Sequence, residues 1–252
     1  MSRLVVRRDG ETWWVGLNRP DHRNAHDEAM VDEFESVLSK ARRSPSILLI
    51  HSTTPGIFAA GADIREVRDR DADAALLAIN ANLFERLEAH RWPTIALVDG
   101  PALGGGCEMA LACDFRIATS RAVFAQPELS LGILAGAGGN WRLAQLVGLA
   151  TARRMLYAGA RLDAAAAQAV GLVDEVVENP GKLQVRGAAM AAAIARQSWR
   201  ALELTKLALP QHPAATAAFD AAAQALLFES PDKYERMTAF LERRSRTGSA
   251  QG

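Results

Sequence analysis

The sequence predicts an α/β fold, on two observations. Short β-rich runs alternate with helix-patterned stretches over most of the chain, and from about Gly187 the composition turns alanine-rich and strand-poor. The β-rich runs are Leu4 to Val6, Trp13 to Leu17, Ile47 to Ser52, Thr94 to Val98 and Val173 to Val177. Between the second and third, Met30, Val31, Phe34, Val37 and Leu38 recur at helical spacing behind Asp27 and Glu28, acidic residues that suit a helix start. A second helix is expected from about Asp73 to His90, with Leu76, Leu77, Leu83, Phe84 and Leu87 on its apolar face and Pro93 stopping it. In the last part of the chain alanine favours helix, Pro210 and Pro213 divide one stretch from the next, and Leu202, Leu204, Leu207, Leu226, Leu227, Phe228 and Phe240 supply apolar faces. The division expected is a body over residues 1–190 and a helical region over 191–252, ending in a frayed polar tail from Arg243.

Composition narrows the setting. The 252 residues suit one large domain or a domain with an appendage, and no internal repeat is visible. Lys plus Arg and Asp plus Glu both number 29, so no global field draws the chain to nucleic acid or an anionic membrane. Two cysteines, Cys107 and Cys113, cannot make a disulfide framework, which fits a reducing cytosol. The first residues lack the apolar stretch of a secretory signal, and no later run has the length of a membrane span. A cytoplasmic protein bound to neither nucleic acid nor membrane is expected.

Chemistry concentrates in three segments. Gly104-Gly105-Gly106 opens an apolar, helix-compatible stretch ending at Cys113, so its backbone N–H groups can face an anionic oxygen; a tight turn whose glycines serve packing explains the same run. Glu108 lies just inside that helix, and Glu128 follows Pro127 before an apolar run, Leu129 to Ala137. Either glutamate could simply complement a helix terminus, but burial among apolar neighbours would perturb both carboxyl groups. Phe58 to Ile64, with Gly61 between alanines after a Pro55-Gly56 turn, leaves room for a flat ligand against the backbone. His22, His26, His51, His90 and His212 show no metal-ligand spacing, so no metal site is expected, and Cys107 is read as a packing residue despite its place at a helix start. Gly136-Ala137-Gly138-Gly139 fails as a dinucleotide loop because Trp141 stands where the last glycine belongs.

In order, Leu17-Asn18-Arg19-Pro20 with Arg23-Asn24-Ala25, Phe58 to Asp63, Gly104 to Glu108, Gln126-Pro127-Glu128, Gly136 to Gly139 and Gly171-Leu172-Val173-Asp174 resemble the motifs of the crotonase, or enoyl-CoA hydratase/isomerase, superfamily. The resemblance runs from about residue 4 to about residue 242. It implies a crotonase-like ββα spiral with a C-terminal helical trimerisation region, and a homotrimer or a hexamer built as a dimer of trimers. It also implies an acyl-CoA thioester as substrate and no cofactor beyond the CoA that the substrate carries. The backbone N–H groups of Ala62 and Gly105 would form the oxyanion hole. Glu108 and Glu128 would together hold and activate the water that adds across the 2,3 double bond of a 2-enoyl-CoA, with Glu128 the proton donor to the α-carbon. CoA would pass Arg23 and Ala25 and run along Ala60, Asp63, Ile64 and Arg65, with Gly136 also contributing and Arg23 and Arg65 available to its phosphates.

Possession of both glutamates favours hydration, or the reverse dehydration, over an isomerase working with one glutamate as base. A crotonase-like body can also serve as a non-enzymatic scaffold, some with RNA affinity, but the mixed charges of Arg68, Asp69, Arg70, Asp71 and Asp73 do not make a basic face. Two departures stand out. Asn140-Trp141 replaces the Thr-Gln or Ser-Gln pair common before an Arg, here Arg142, so Trp141 either reshapes the acyl pocket or packs on its helix. Phe240-Leu241-Glu242-Arg243-Arg244 lacks the Pro and Phe that often follow.

Overall fold

The computed structural model describes residues 2–69, 71–209, 231 and 235. The chain resolves into two compact units, Met1–Ile194 and Ala195–Gly252. In the first, strands β1 (Leu4–Asp9) and β2 (Thr12–Leu17) form an antiparallel hairpin that leads into helix α1 (Glu28–Ala41) and strand β3 (Ile47–Ser52). Helices α2 (Ile64–Asp69), α3 (Ala72–Leu76) and α4 (Ile79–Glu88) precede β4 (Thr94–Val98), β5 (Pro101–Leu103) and α5 (Gly105–Leu111). Then come β6 (Phe115–Thr119), β7 (Val123–Ala125), a 3-10 turn at Glu128–Leu131, α6 (Gly139–Ala158), β8 (Leu162–Asp163), α7 (Ala164–Ala169), β9 (Glu175–Val177) and α8 (Pro180–Ala195). The described part of the second unit is built around α9 (Trp199–Ala208).

Six strands form one sheet in the order β1-β2-β3-β4-β6-β9, parallel from β2 onward, and β5-β7-β8 form a small second sheet. The central strands explain themselves: Ile47-Leu48-Leu49-Ile50 and Thr94 to Val98 are buried throughout, as parallel strands covered on both faces must be. The β1 edge is treated differently. Only Leu4 is buried there, and Arg7 and Arg8 lie over the rings of Trp14 and Trp13, a charged edge that discourages pairing with another chain. Helix α1 starts at Asp27, whose side chain accepts the Met30 N–H at 3.0 Å, and it buries Met30, Val31, Phe34, Val37 and Leu38. Each such side chain contributes about 1.5–3 kcal/mol by leaving water.

The single helix expected over 73–90 is two. Ala78 adopts a left-handed conformation (φ 47°) between α3 and α4, and Leu76 and Leu77 are exposed. Of the five apolar residues expected on one face, Leu83, Phe84 and Leu87 are buried in the core and the leucine pair is not. The strand expected at Val173 to Val177 begins at Glu175, and the composition change at Gly187 falls inside α8. Leu226, Leu227, Phe228, Phe240, Pro210, Pro213 and the Arg243 tail lie outside the described residues. Among the described residues no helix is long and apolar enough to cross a membrane.

Candidate active site

Helix α5 is short and rigidly placed. Gly106 packs so tightly that a Cβ there would lie 2.2 Å from the Ala59 carbonyl oxygen, so only glycine lets the helix approach the Phe58–Ile64 segment. At the other end the buried guanidinium of Arg116 donates to the carbonyls of Ala110, Cys113, Asp114 and Leu172, tying the end of the helix to the segment after it and to the 172 loop. The Phe58–Ile64 segment is pinned in turn. Leu103 N–H donates to Ala59 O at 3.0 Å, His26 N–H to Gly61 O at 2.7 Å and Asp63 N–H to His26 O at 2.9 Å.

These anchors set two backbone N–H groups side by side. An atom at the Cβ position of Gly105 would sit 3.3 Å from the Ala62 nitrogen, and among the described residues neither the Ala62 nor the Gly105 N–H donates to a protein acceptor. Both residues line a cleft of about 360 Å³ that also receives Glu108 and Glu128. Glu108 projects from α5 and is buried; its Oε1 accepts the N–H groups of Ala137 and Gly139, each at 2.8 Å. Burial pushes its carboxyl above the ordinary range, against the pull of those two N–H groups and of the Arg142 charge. Glu128 opens the 3-10 turn. Burial, helped by the Glu108 charge, lifts its carboxyl to about 7, and the Gln126 amide, turned with its nitrogen toward it, donates to both oxygens at 3.0 and 3.1 Å.

The remaining wall is mostly apolar: Ile64, Val67, Ala78, Ile79, Leu131, Ile133 and Leu134 face the cleft, with Asn80 among them. The run after Glu128 was expected to be buried. Instead Leu129, Leu131, Ile133 and Leu134 are 41–60% exposed, because the 3-10 turn carries the chain along the rim rather than into the core. Of the other residues singled out in the sequence, Ala60, Ile64 and Gly136 line the cleft and Arg23, Ala25, Asp63 and Arg65 do not. Asp63 is held by Arg19 at 2.7 Å and by the Arg65 N–H; the Arg19 hydrogen bond leads in keeping its carboxyl below the usual range. The Ala25 carbonyl accepts from the same guanidinium. Arg23, exposed and left-handed (φ 51°), accepts the Ala60 N–H on its carbonyl.

Trp141 does not line the cleft; its ring stacks on the Arg142 guanidinium, 4.2 Å away, which decides between its two readings for packing. Cys107 is fully buried, and burial followed by the charges of Glu108 and Glu128 pushes its thiol well above the ordinary value, opposite to the activation that a helix start can give. Among the described residues no group of three His, Cys, Asp or Glu side chains has the arrangement of a metal site.

The sequence profile described as enoyl-CoA hydratase/isomerase matches residues 10–248. The chain belongs to that family. Among relatives of the enoyl-CoA hydratase/isomerase family, the short-chain-enoyl-CoA hydratase of Clostridium acetobutylicum is 36% identical, with 98% of each chain covered. The 2,3-dehydroadipyl-CoA hydratase of Escherichia coli is 38% identical over 97% of this chain and 98% of its own. In structure, DspI of Pseudomonas aeruginosa superposes with a TM-score of 0.91 at 33% identity, covering 96% of this chain and 95% of that one. Crotonase-fold neighbours of this kind and the mixed α/β body agree with the crotonase-like α/β class expected from the sequence; the expected trimerisation region falls largely outside the described residues.

Several site features had no local signal in the sequence. The N–H groups of Ala137 and Gly139 belong to a glycine-rich run visible in the sequence, but their pairing with Glu108 spans about thirty residues of chain. Asn80 and its neighbours line the cleft just past the break at Ala78, which follows no glycine or proline.

Proposed function

We propose that the protein hydrates the 2,3 double bond of a 2-enoyl-CoA thioester, or runs the reverse dehydration. The observation that carries this reading is the meeting, in one cleft, of two unpaired backbone N–H groups with two buried carboxyl groups held in unlike ways. The names of the relatives, a short-chain-enoyl-CoA hydratase and a 2,3-dehydroadipyl-CoA hydratase, support the same reaction class.

The thioester oxygen accepts from Ala62 and Gly105, whose N–H groups stabilise the charge that grows there as the enolate forms; a single donor of this kind contributes about 3–4 kcal/mol. Glu108, as carboxylate, takes a proton from water as its oxygen bonds to the β-carbon. Glu128, whose carboxyl near 7 is substantially protonated at neutral pH, gives its proton to the α-carbon. The two titrations are coupled through their shared cleft, and solvent exchange in the emptied site returns the proton from Glu108 to Glu128. No cofactor enters these steps. CoA would extend past Ala60 and Ile64 toward the Arg23 and Arg65 side, and Ala25, Asp63 and Gly136 would shape that path. The reading extends to a cytoplasmic enzyme working as a homotrimer or hexamer through residues 191–252, with 1–190 as the catalytic body; sedimentation of the full chain at three or six protomer masses is the expected result.

Spectrophotometry of 2-enoyl-CoA and 3-enoyl-CoA thioesters tests the reaction. Loss of the conjugated chromophore from 2-enoyl substrates is expected. Turnover confined to 3-enoyl substrates would instead make the protein an isomerase.

A further inference from the structure

Glu108 is fastened by more than its two N–H donors. Ala137, which gives one of them, has its own carbonyl taken by Arg142 Nη1 at 2.9 Å. The Arg142 side chain is buried; Nη2 and Nε reach Glu88 Oε2 at 2.8 and 3.3 Å, and the Trp141 ring covers one face at 4.2 Å from its centroid. Gly138 sits between Ala137 and Gly139 with a left-handed φ of 104°, and a Cβ there would fall 1.9 Å from Arg142 Nη1. The 137–139 loop is thus moulded around the guanidinium, and the same loop presents both N–H groups to Glu108. A planar fork held on one edge by Glu88 and on one face by an indole has little freedom to move.

We propose that Arg142, locked between Glu88 and Trp141, is a positioning residue that sets the 137–139 loop against Glu108 and so orients the base carboxylate. This rests on the reading of Glu108 as the base. The groups bearing on Glu108 are Cys107 on its own helix, Glu128 across the cleft and Arg142 from α6, with Glu88 of α4 behind Arg142. Arg142 is the cation acting on Glu108, and its charge opposes the burial that would otherwise hold the proton on. The Asn140-Trp141 departure therefore acts on the site indirectly, through the guanidinium it covers.

The test follows the Glu108 carboxyl by carbon-13 NMR titration of protein labelled at glutamate, the signal being assigned by its loss in Glu108→Gln. In Arg142→Gln the Glu108 carboxyl titrates about one pH unit higher. Hydration of crotonyl-CoA loses about 10- to 100-fold in kcat while KM stays within about twofold, because the reacting geometry suffers and ground-state binding does not. Arg142→Lys returns the titration toward that of the parent but not the full kcat, since an ammonium lacks the planar fork. Glu88→Gln moves the titration the other way, downward, because the Arg142 charge is no longer neutralised. A general loosening of the fold would not shift these two variants in opposite directions. Arg142→Gln with parental titration and kcat, or Glu88→Gln and Arg142→Gln shifting together, overturns the proposal. If Arg142→Gln does not fold, a Glu88→Gln titration identical to the parent's overturns it alone. A parent protein without activity on any enoyl-CoA defeats the hydratase reading, while the NMR titrations still decide whether Arg142 acts on Glu108.

Discussion

The two carboxyl groups of the cleft stand on walls of opposite character. Glu108 rides a helix tied at its far end by Arg116 and is met at its carboxylate by two N–H groups from a loop moulded on Arg142. Glu128 sits at the start of a 3-10 turn, has the Gln126 amide as its polar side-chain partner, and leads into leucines and an isoleucine left open to water. Burial raises both carboxyl groups, but only on the first wall do two backbone donors and a cation pull back. One fold thus gives two glutamates, twenty residues apart, unlike surroundings: one met by two backbone donors and a cation, the other by a side-chain amide.

Removing either carboxylate is the most severe way to break that contrast. Glu108→Gln and Glu128→Gln should each lower kcat for crotonyl-CoA hydration by about 10²- to 10⁴-fold, the range for a general acid or base. Parental turnover in both variants would end the two-carboxylate assignment.

The pH profile sharpens the division of labour. If Glu128 is the acid, hydration kcat/KM declines as pH rises through about 7, where that carboxyl loses its proton. Dehydration of a 3-hydroxyacyl-CoA needs the same singly protonated pair, with the proton on Glu108 instead, so its kcat/KM declines over the same interval. A hydration kcat/KM that stays flat through pH 7 would assign the acid to another group.

A smaller effect appears in stability. Because the folded-state value of Glu128, about 7, lies above its ordinary value, the native state binds a proton that the unfolded chain gives up, so stability falls as pH climbs from about 4.5 to 7. Glu128→Gln removes that decline and should raise Tm by a few degrees at pH 8, about 2–4 °C per kcal/mol regained in a chain of this size. Thermal melts at pH 5 and pH 8 check it, and a Tm gain present only at pH 5 would contradict the burial argument.

The gentlest probe is the rim. Leu134→Ala, at a side chain 60% exposed, should change KM for short enoyl-CoA substrates by less than about threefold and leave kcat alone, since little apolar area returns to water.

Much of this architecture was readable from the chain. The runs at Ile47 to Ser52 and Thr94 to Val98 announced themselves because parallel central strands must be apolar throughout, and the Met30 to Leu38 spacing because one helix face must be. The strands at 101–103, 115–119 and 123–125 were not anticipated; the first and last have three residues, too few to show alternation, and the five of 115–119 include Arg116, a charged residue that the fold buries. The break at Ala78 escaped because alanine ordinarily favours helix, and only tertiary packing decided otherwise. In the site, Gly104 to Glu108 and Gln126 to Glu128 were legible as ordered motifs. What fastens Glu108 was not, because it depends on contacts among residues 88, 108, 137 and 142 that only folding brings together.

Cys107 lies two residues beyond Gly105, so in the proposed hydratase a thiol shares a helix turn with a donor to the thioester oxygen. A thiolate there could capture the acyl group by exchange and strand it on the protein. Complete burial and two flanking carboxyl groups keep that sulfur protonated and out of reach, so the catalytic helix can carry a potential nucleophile without self-acylation.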